Sequence, residues 1–133
     1  MRSVKGISRS SGVFRVRDTT GLMIDTPKPL LTIEQMEQSI AAGADFLVTP
    51  GTPAEMADAM AKAPIPVVPG AATPTELLSL MARGFRVCKL FPASAVGGLA
   101  MLKGLAGPLS DLKICPTGGI TEDNAADYLS QPN

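Results

Sequence analysis

The chain has 133 residues, a length that normally forms one domain with a modest core. Hydrophobic residues make up 45% and charged residues 18%, which is a globular composition, and the formal net charge of zero excludes recruitment of nucleic acid or an anionic membrane by a global field. The absence of histidine excludes Ser-His-Asp and Cys-His catalysis and every histidine-ligated zinc site.

Residues 1–30 are a basic segment without a sustained hydrophobic period. Arginines and lysines outnumber Asp18 and Asp25, its only acidic residues. We predict that the segment is poorly ordered, apart from an alternating stretch at 13–17 that is able to form an edge strand. An alternative function treats residues 1–17 as an arm that binds nucleic acid. Phe14 is the only aromatic residue of this arm, so stacking on bases is disfavoured.

From residue 31 onward, helix starts alternate with short apolar runs. A first helix is predicted to begin at the capping-box sequence 32–35 and to stop at Gly43. Strands are then predicted to begin near residues 46, 66, 86 and 113, and each is followed by a helix. Pro53 and Pro74 are predicted at first helical positions, where a missing N–H costs nothing. The last two helices are predicted near 98–105 and 122–128.

This alternation predicts an α/β fold over residues 31–133, with a parallel sheet covered by helices. Four βα units are half of a (β/α)8 TIM-type barrel. A doubly wound sheet has the same strand spacing, but it is disfavoured because no Gly-rich dinucleotide fingerprint follows the first strand. The prediction is therefore a partial barrel of about four βα units.

Lys89 is the residue whose position is hardest to explain structurally. It lies within the apolar run 85–91, and strand alternation places it on one face together with Val87 and Phe91. A lysine that extends to the rim of the sheet is the structural alternative. On a strand covered on both faces, however, the ammonium would lose hydration and its pKa would fall. The free amine would then be a nucleophile able to form a Schiff base with a carbonyl substrate.

A second candidate site is the sequence CPTGGI at 115–120, between the last predicted strand and a helix. Two glycines allow backbone N–H groups to approach an anion, and the helix N-terminus adds a favourable dipole. Barrel phosphate sites lie in the loops of the last strands. A tight turn without a ligand is the structural alternative.

The cysteines and the apolar stretches bear on location and metal binding. Cys88 and Cys115 lie in apolar runs, which indicates buried free thiols of a cytoplasmic protein, with a disulfide as the alternative. They lack metal-ligand spacing, so no metal is predicted. No stretch approaches the roughly 18 apolar residues of a membrane span, and the N-terminus lacks the apolar segment of a secretory signal. We expect no membrane and no nucleic-acid partner.

Four motifs together resemble the 2-keto-3-deoxy-6-phosphogluconate (KDPG) and 4-hydroxy-2-oxoglutarate (KHG) aldolase family in order and spacing. They are FLVTPG at 46–51, VVPG at 67–70, KLFPA at 89–93 and CPTGGI at 115–120. The resemblance covers about residues 31–133, roughly half of the family's usual length. It implies a trimeric (β/α)8 barrel and a class I lyase that uses neither metal nor cofactor. Its substrate would be a phosphorylated 2-keto-3-deoxy sugar acid, cleaved to pyruvate and glyceraldehyde 3-phosphate.

The resemblance also implies roles for six residues. Lys89 would be the Schiff-base lysine, and Phe91 would line the pocket beside it. Pro50 and Thr117 would contact the pyruvate moiety. The backbone N–H groups of Gly118 and Gly119 would hold the phosphate.

The sequence departs from the family at both ends. Family members carry early strands with a catalytic glutamate and a substrate-binding arginine, whereas residues 1–30 contain no glutamate and do not align with those strands. A final strand with a further phosphate-binding loop would begin where the sequence stops. An inactive, truncated family member is therefore an alternative to an active aldolase. The matched motifs leave open gluconate-series, galactonate-series and 4-hydroxy-2-oxoglutarate substrates.

Overall fold

A computed structural model describes residues 30–133 together with the strand positions 7–10, 13–17 and 22–25. The three N-terminal strands are β1 (Ile7–Ser10), β2 (Val13–Arg17) and β3 (Leu22–Asp25), and they form an antiparallel sheet in the order β1-β2-β3. The strand predicted at 13–17 is present, but it is the middle strand of this sheet and not an edge. β1 and β3 are likewise strands where the sequence predicted poor order. The other positions of residues 1–29 lie outside the described residues.

The remaining chain alternates helices with parallel strands, as predicted. The elements are α1 (Ile33–Ala41), β4 (Leu47–Val48), α2 (Ala54–Met60), β5 (Val67–Val68), β6 (Gly70–Ala71), α3 (Pro74–Ala82), β7 (Val87–Leu90), α4 (Gly98–Ala106), β8 (Lys113–Pro116) and α5 (Glu122–Leu129). None of the helices in the described part of the chain is long and apolar enough to cross a membrane.

The strands of this region run parallel and follow one another in chain order. β4 pairs with β5, β6 pairs with β7, and β7 pairs with β8. Only Pro69 separates β5 from β6, so one chain segment contacts β4 on one side and β7 on the other. Pro69 fits here because it has no N–H to donate, while its carbonyl accepts a 2.8 Å hydrogen bond from the N–H of Lys89. From β4 to β8, neighbouring strands in the sheet are also consecutive in the chain, so the strand order does not reverse.

Local signals in the sequence explain where the helices begin. Thr73 and Glu76 form a reciprocal capping box at the start of α3, and Pro74 occupies the first turn. Thr32 caps α1 by accepting a hydrogen bond from the N–H of Gln35. Pro53 differs from the prediction, because it is the N-cap of α2 and not its first helical residue. Its extended ψ of 155° places it just outside the helix.

Two apolar clusters hold the helices against one face of the parallel strands. The larger cluster includes Ala71, Cys88, Leu90 and Ile114 from the strands. The smaller cluster packs Leu47 and neighbouring apolar side chains against α1 and α2. Burial of these side chains contributes about 25 cal/mol for each Å² of apolar surface removed from water.

The opposite face of the strands is not covered by helices, contrary to the sequence prediction for β7. We expected β7 to be covered on both faces, yet Val87 is 45% exposed while Cys88 and Leu90 are fully buried. The structure therefore has a helix-covered face and an open face. Lys89 is on the open face with Val87.

Candidate active site

Lys89 lies near the carboxyl end of β7, between two strands that support it. Parallel pairing aligns it with Gly70 of β6 on one side and with Cys115 of β8 on the other. Because aligned residues of paired strands share a face of the sheet, the three residues form a row on the open face. Because Gly70 has no side chain, the backbone of Thr49 and Pro50 packs closely against this end of the row.

The amine of Lys89 is partly buried, and its surroundings favour the neutral form. Its Nζ lies 4.9 Å from the centroid of the Phe91 ring, two residues further along the strand. Burial lowers the pKa of Lys89 below the ordinary value for lysine, and the Cys115 sulfur opposes this shift with a smaller effect. Within the described residues, no aspartate or glutamate lies on β4 to β8 to stabilise the ammonium.

The two cysteines are both free, but only one is buried. Cys88 is in the larger apolar cluster, where burial raises its pKa from 9.0 to about 11. Cys115 is exposed, which contradicts the prediction of two buried thiols. The reason is its register: Cys115 aligns with Lys89 on the open face, whereas Cys88 aligns with Ile114 on the helix side.

The loop that follows β4 is fixed tightly against Gly70. The N–H of Gly70 donates to Thr49 Oγ1 at 3.1 Å, and Thr52 Oγ1 donates to the carbonyl of Gly70 at 2.9 Å. The two threonine hydroxyls are themselves 2.9 Å apart. A Cβ at position 70 would overlap the backbone of Thr49 and Pro50. This packing brings Pro50 beside the row that contains Lys89.

The loop after β8 is joined to the loop after β7 by three hydrogen bonds. Ala93 N–H donates to the carbonyl of Thr117 at 2.8 Å, and the N–H and hydroxyl of Ser94 both donate to the carbonyl of Gly118 at 3.1 Å. Gly118 and Gly119 have φ values of +97° and +80°, which favour glycine. A Cβ on Gly119 would overlap the side chain of Ser94.

These contacts bring the six residues singled out by the sequence to one end of the parallel strands. Lys89 and Phe91 are on β7 and just after it, Pro50 follows β4, and 117–119 follow β8. If a Cβ were built on Gly118, it would lie 3.6 Å from the Phe91 ring, so residues 117–119, which we call the glycine loop, adjoin the ring beside Lys89. Ligand sites of parallel α/β proteins occur at this carboxyl end of the strands.

The profile of the KDPG and KHG aldolase family matches residues 13–133. The chain belongs to this aldolase family. The family match begins at residue 13, earlier than the 31–133 over which the motifs alone show the resemblance.

Individual aldolases of the family align with a shorter part of this chain than the family profile does. The 2-dehydro-3-deoxy-phosphogluconate aldolase of Pseudomonas aeruginosa is 45% identical over 92 residues, which are 69% of this chain and 42% of that protein. The KHG/KDPG aldolase of Escherichia coli is 40% identical over 101 residues, which are 76% of this chain and 47% of that protein. The chain thus spans about half the length of the curated aldolases it matches.

Solved aldolase structures share the fold of the matched region. A KDPG aldolase from Legionella pneumophila, with pyruvate captured as a covalent carbinolamine intermediate, superposes with a TM-score of 0.76 at 41% identity. An aldolase from Zymomonas mobilis with 3-phosphoglycerate superposes with a TM-score of 0.75 at 33% identity. Each superposition covers 78% of this chain and 50% of the other.

The structure adds residues to this candidate site that the sequence did not indicate. Ser94, in the loop after β7, donates its hydroxyl to the carbonyl of Gly118. Asn124 of α5 donates from Nδ2 to the carbonyl of Gly119 at 3.0 Å. Thr49 and Thr52 hold Pro50 in place through Gly70. Ser94 lies four residues after the end of β7, and Asn124 lies in the first turn of the helix that follows β8. Those positions were the only signal in the sequence. Helix capping and surface exposure explain such residues equally well.

Proposed function

We propose that this chain carries the lysine half of a class I aldolase site and that Lys89 forms a Schiff base with pyruvate or a 2-keto-3-deoxy sugar acid. One observation supports this proposal more strongly than the others. A partly buried amine with a lowered pKa lies at the carboxyl end of parallel strands, on their open face, beside an aromatic ring. A lowered pKa makes the neutral amine, which is the nucleophile, more available.

The proposed reaction begins with attack of the neutral Lys89 amine on the keto carbon of the substrate. The resulting carbinolamine loses water to give an iminium, which draws electrons from the bond between the third and fourth carbons of the sugar acid. Cleavage of that bond releases the aldehyde, as the hydroxyl on the fourth carbon gives up its proton. The enamine left on Lys89 takes a proton on carbon, and water then releases pyruvate and restores the amine.

The other residues are proposed to bind the two ends of the substrate. Pro50 and Thr117, at the same end of the strands as Lys89, would contact the pyruvate moiety. The N–H groups of Gly118 and Gly119 have no hydrogen-bond partner among the described residues, so they are available to a phosphate. The relative from Zymomonas mobilis was solved with 3-phosphoglycerate, which supports a phosphorylated ligand for the family. Phosphorylated 2-keto-3-deoxy sugar acids are therefore the substrates we propose.

We further propose that residues 31–133 are four βα units of a (β/α)8 barrel. The parallel strands pair in chain order, which supports this architecture, because a doubly wound sheet reverses its strand order at a switch point. The open face with Lys89 would then line the barrel interior. In the relatives, the remaining half of the length would supply the other strands.

A second candidate is an inactive family member that retains the lysine pocket. The observation that favours it is the lack of any aspartate or glutamate on the described strands β4 to β8. Carbinolamine dehydration and carbon–carbon cleavage both need a proton shuttle. Schiff-base formation without retro-aldol turnover would support this candidate.

Borohydride trapping with pyruvate tests the role of Lys89 directly. We expect one reduced pyruvate adduct by intact mass, assigned to Lys89 by peptide mapping and lost in Lys89→Met. Lys113→Met is the matched control, because Lys113 is exposed on the adjacent strand and its Nζ binds the carbonyl of Pro132. An adduct in Lys89→Met, or no adduct on folded wild-type protein, would contradict the proposal.

A further inference from the structure

The carboxamide of Asn124 joins the glycine loop to the start of α5. Its Nδ2 donates to the carbonyl of Gly119 at 3.0 Å, and its Oδ1 accepts from the N–H of Thr121 at 2.8 Å. One side chain therefore spans the short segment from Gly119 to Thr121. Ile120, between them, has a backbone N–H without a hydrogen-bond partner among the described residues.

Three successive carbonyls of this loop are each held by a donor from another element. Ala93 N–H holds Thr117 O, the N–H and hydroxyl of Ser94 hold Gly118 O, and Asn124 holds Gly119 O. In a trans peptide, a carbonyl and the N–H of the next residue point in opposite directions. Holding these carbonyls therefore directs the N–H groups of Gly118, Gly119 and Ile120 away from the donors.

Resting on the proposed phosphate role of this loop, we propose that the anion site has a third backbone donor, the N–H of Ile120, and that Asn124 is the positioning residue that orients it. Concave groups of successive N–H donors bind anions. The N-terminus of α5, which follows Ile120 and Thr121, adds its dipole to the same site. The chemical class of the ligand is a phosphate monoester or inorganic phosphate.

Inorganic phosphate titrated into the full ¹⁵N-labelled chain tests this proposal residue by residue. We expect the amide resonances of Gly118, Gly119 and Ile120 to shift together with one dissociation constant. In Asn124→Ala the dissociation constant should rise about tenfold, and the Ile120 shift should shrink most, because one oriented donor is lost. Gln131→Ala should titrate like wild type, since its amide donates to the carbonyl of Asp127 at the far end of α5.

Asn124→Asp separates loop positioning from helix stability. The aspartate keeps an acceptor for the N–H of Thr121 and keeps the helix start intact, but it cannot donate to Gly119 O. If Asn124 acted only as a cap, Asn124→Asp would bind phosphate normally. If charge repulsion alone mattered, Asn124→Ala would bind normally. We expect weakened binding in both variants, with the helical circular dichroism of Asn124→Asp unchanged.

The result that would overturn the inference is an Ile120 amide that does not respond to phosphate, or an Asn124→Ala variant that binds like wild type. A wild-type chain that binds no phosphate would overturn it as well. Pyruvate trapping on wild-type protein is an independent assay of Lys89. Failure of the phosphate site and failure of the aldolase proposal are therefore distinguishable.

Discussion

The reactivity of Lys89 depends on how much hydration its ammonium loses on the strand. Burial lowers its pKa from the ordinary value of 10.5, and the smaller effect of Cys115 limits the shift. Because the folded state binds the proton more weakly than the unfolded chain, the protonated lysine costs stability. This cost is complete below the folded pKa, and it disappears as the pH rises through the folded pKa to 10.5.

Replacing Lys89 with methionine should therefore stabilise the protein at neutral pH. Methionine keeps an unbranched side chain of nearly the same length without a charge to desolvate. Urea denaturation at a series of pH values should show a gain in the free energy of unfolding that narrows as the pH approaches 10.5. A gain that is constant with pH would mean that packing, and not the lysine charge, explains it.

The two cysteines should differ in their reaction with iodoacetamide. Cys115 is exposed, whereas Cys88 is buried with a pKa raised to about 11, so its thiolate is scarce at neutral pH. Peptide mapping should find rapid alkylation of Cys115 and protection of Cys88 until the protein unfolds in urea. Because Cys115 adjoins Lys89, prior trapping of pyruvate should slow its alkylation. Equal labelling rates in the native state would contradict this arrangement.

At the scale of elements, Gly70 determines how closely the β4 loop approaches the middle of the sheet. The Thr49 and Thr52 hydroxyls bond to each other, and each also bonds to the backbone of Gly70, so the hydrogen bonds form a ring. No side chain larger than hydrogen fits there, since a Cβ would meet backbone atoms of Thr49 and Pro50. Backbone atoms cannot move aside as a flexible side chain would. Any larger residue therefore separates Pro50 from the lysine strand.

Gly70→Ala should consequently destabilise the protein by about 1–3 kcal/mol, the usual range for forced overpacking. Gly104→Ala is the matched control, because this glycine is inside α4 with nothing near its missing Cβ. That substitution should stabilise by about 0.5–1 kcal/mol through helix propensity. Chemical denaturation of both variants checks the signs. A stable Gly70→Ala protein would contradict the close packing described for this loop.

The same elements show what the sequence could and could not predict. Helix starts such as Thr73–Glu76 are local, so they are correctly predicted from neighbouring residues alone. Exposure of Val87 and Cys115 depends on which face of the sheet the helices cover, and apolar character does not reveal this. Asn124 was missed because its contact with Gly119 resembles ordinary capping in the sequence. The position of Lys89 on β7 was predicted because strand alternation is also local.

At the scale of the whole molecule, the parallel strands leave two edges and one face unpaired among the described residues. β4 has only β5 as a neighbour, and β8 has only β7. The open face exposes Val87 beside Lys89. Unpaired strand edges are templates for pairing with another chain. Self-association, or pairing with another polypeptide that adds strands at these edges, is the expected behaviour of this chain.

We therefore expect the unfolding midpoint to rise with protein concentration. Val87→Asp should reduce this dependence, because a carboxylate on the open face opposes apolar contact. Leu78→Asp is the control: Leu78 is 55% exposed, but it is on α3, away from that face. Analytical ultracentrifugation and thermal unfolding at several concentrations provide the readout. A monomer with a sharp, concentration-independent transition would count against the prediction.

The chain-order pairing of the parallel strands also has a consequence for folding kinetics. Each pairing joins residues about twenty to thirty positions apart, as in Gly70 with Lys89 and Lys89 with Cys115, so loop closure is inexpensive at every step. No strand must wait for a distant segment before its ladder forms. The lysine strand and both of its neighbours can therefore assemble early, as a unit with its own buried cluster. Such a unit could emerge from the ribosome and begin to fold before the strands that would close a barrel around it have met.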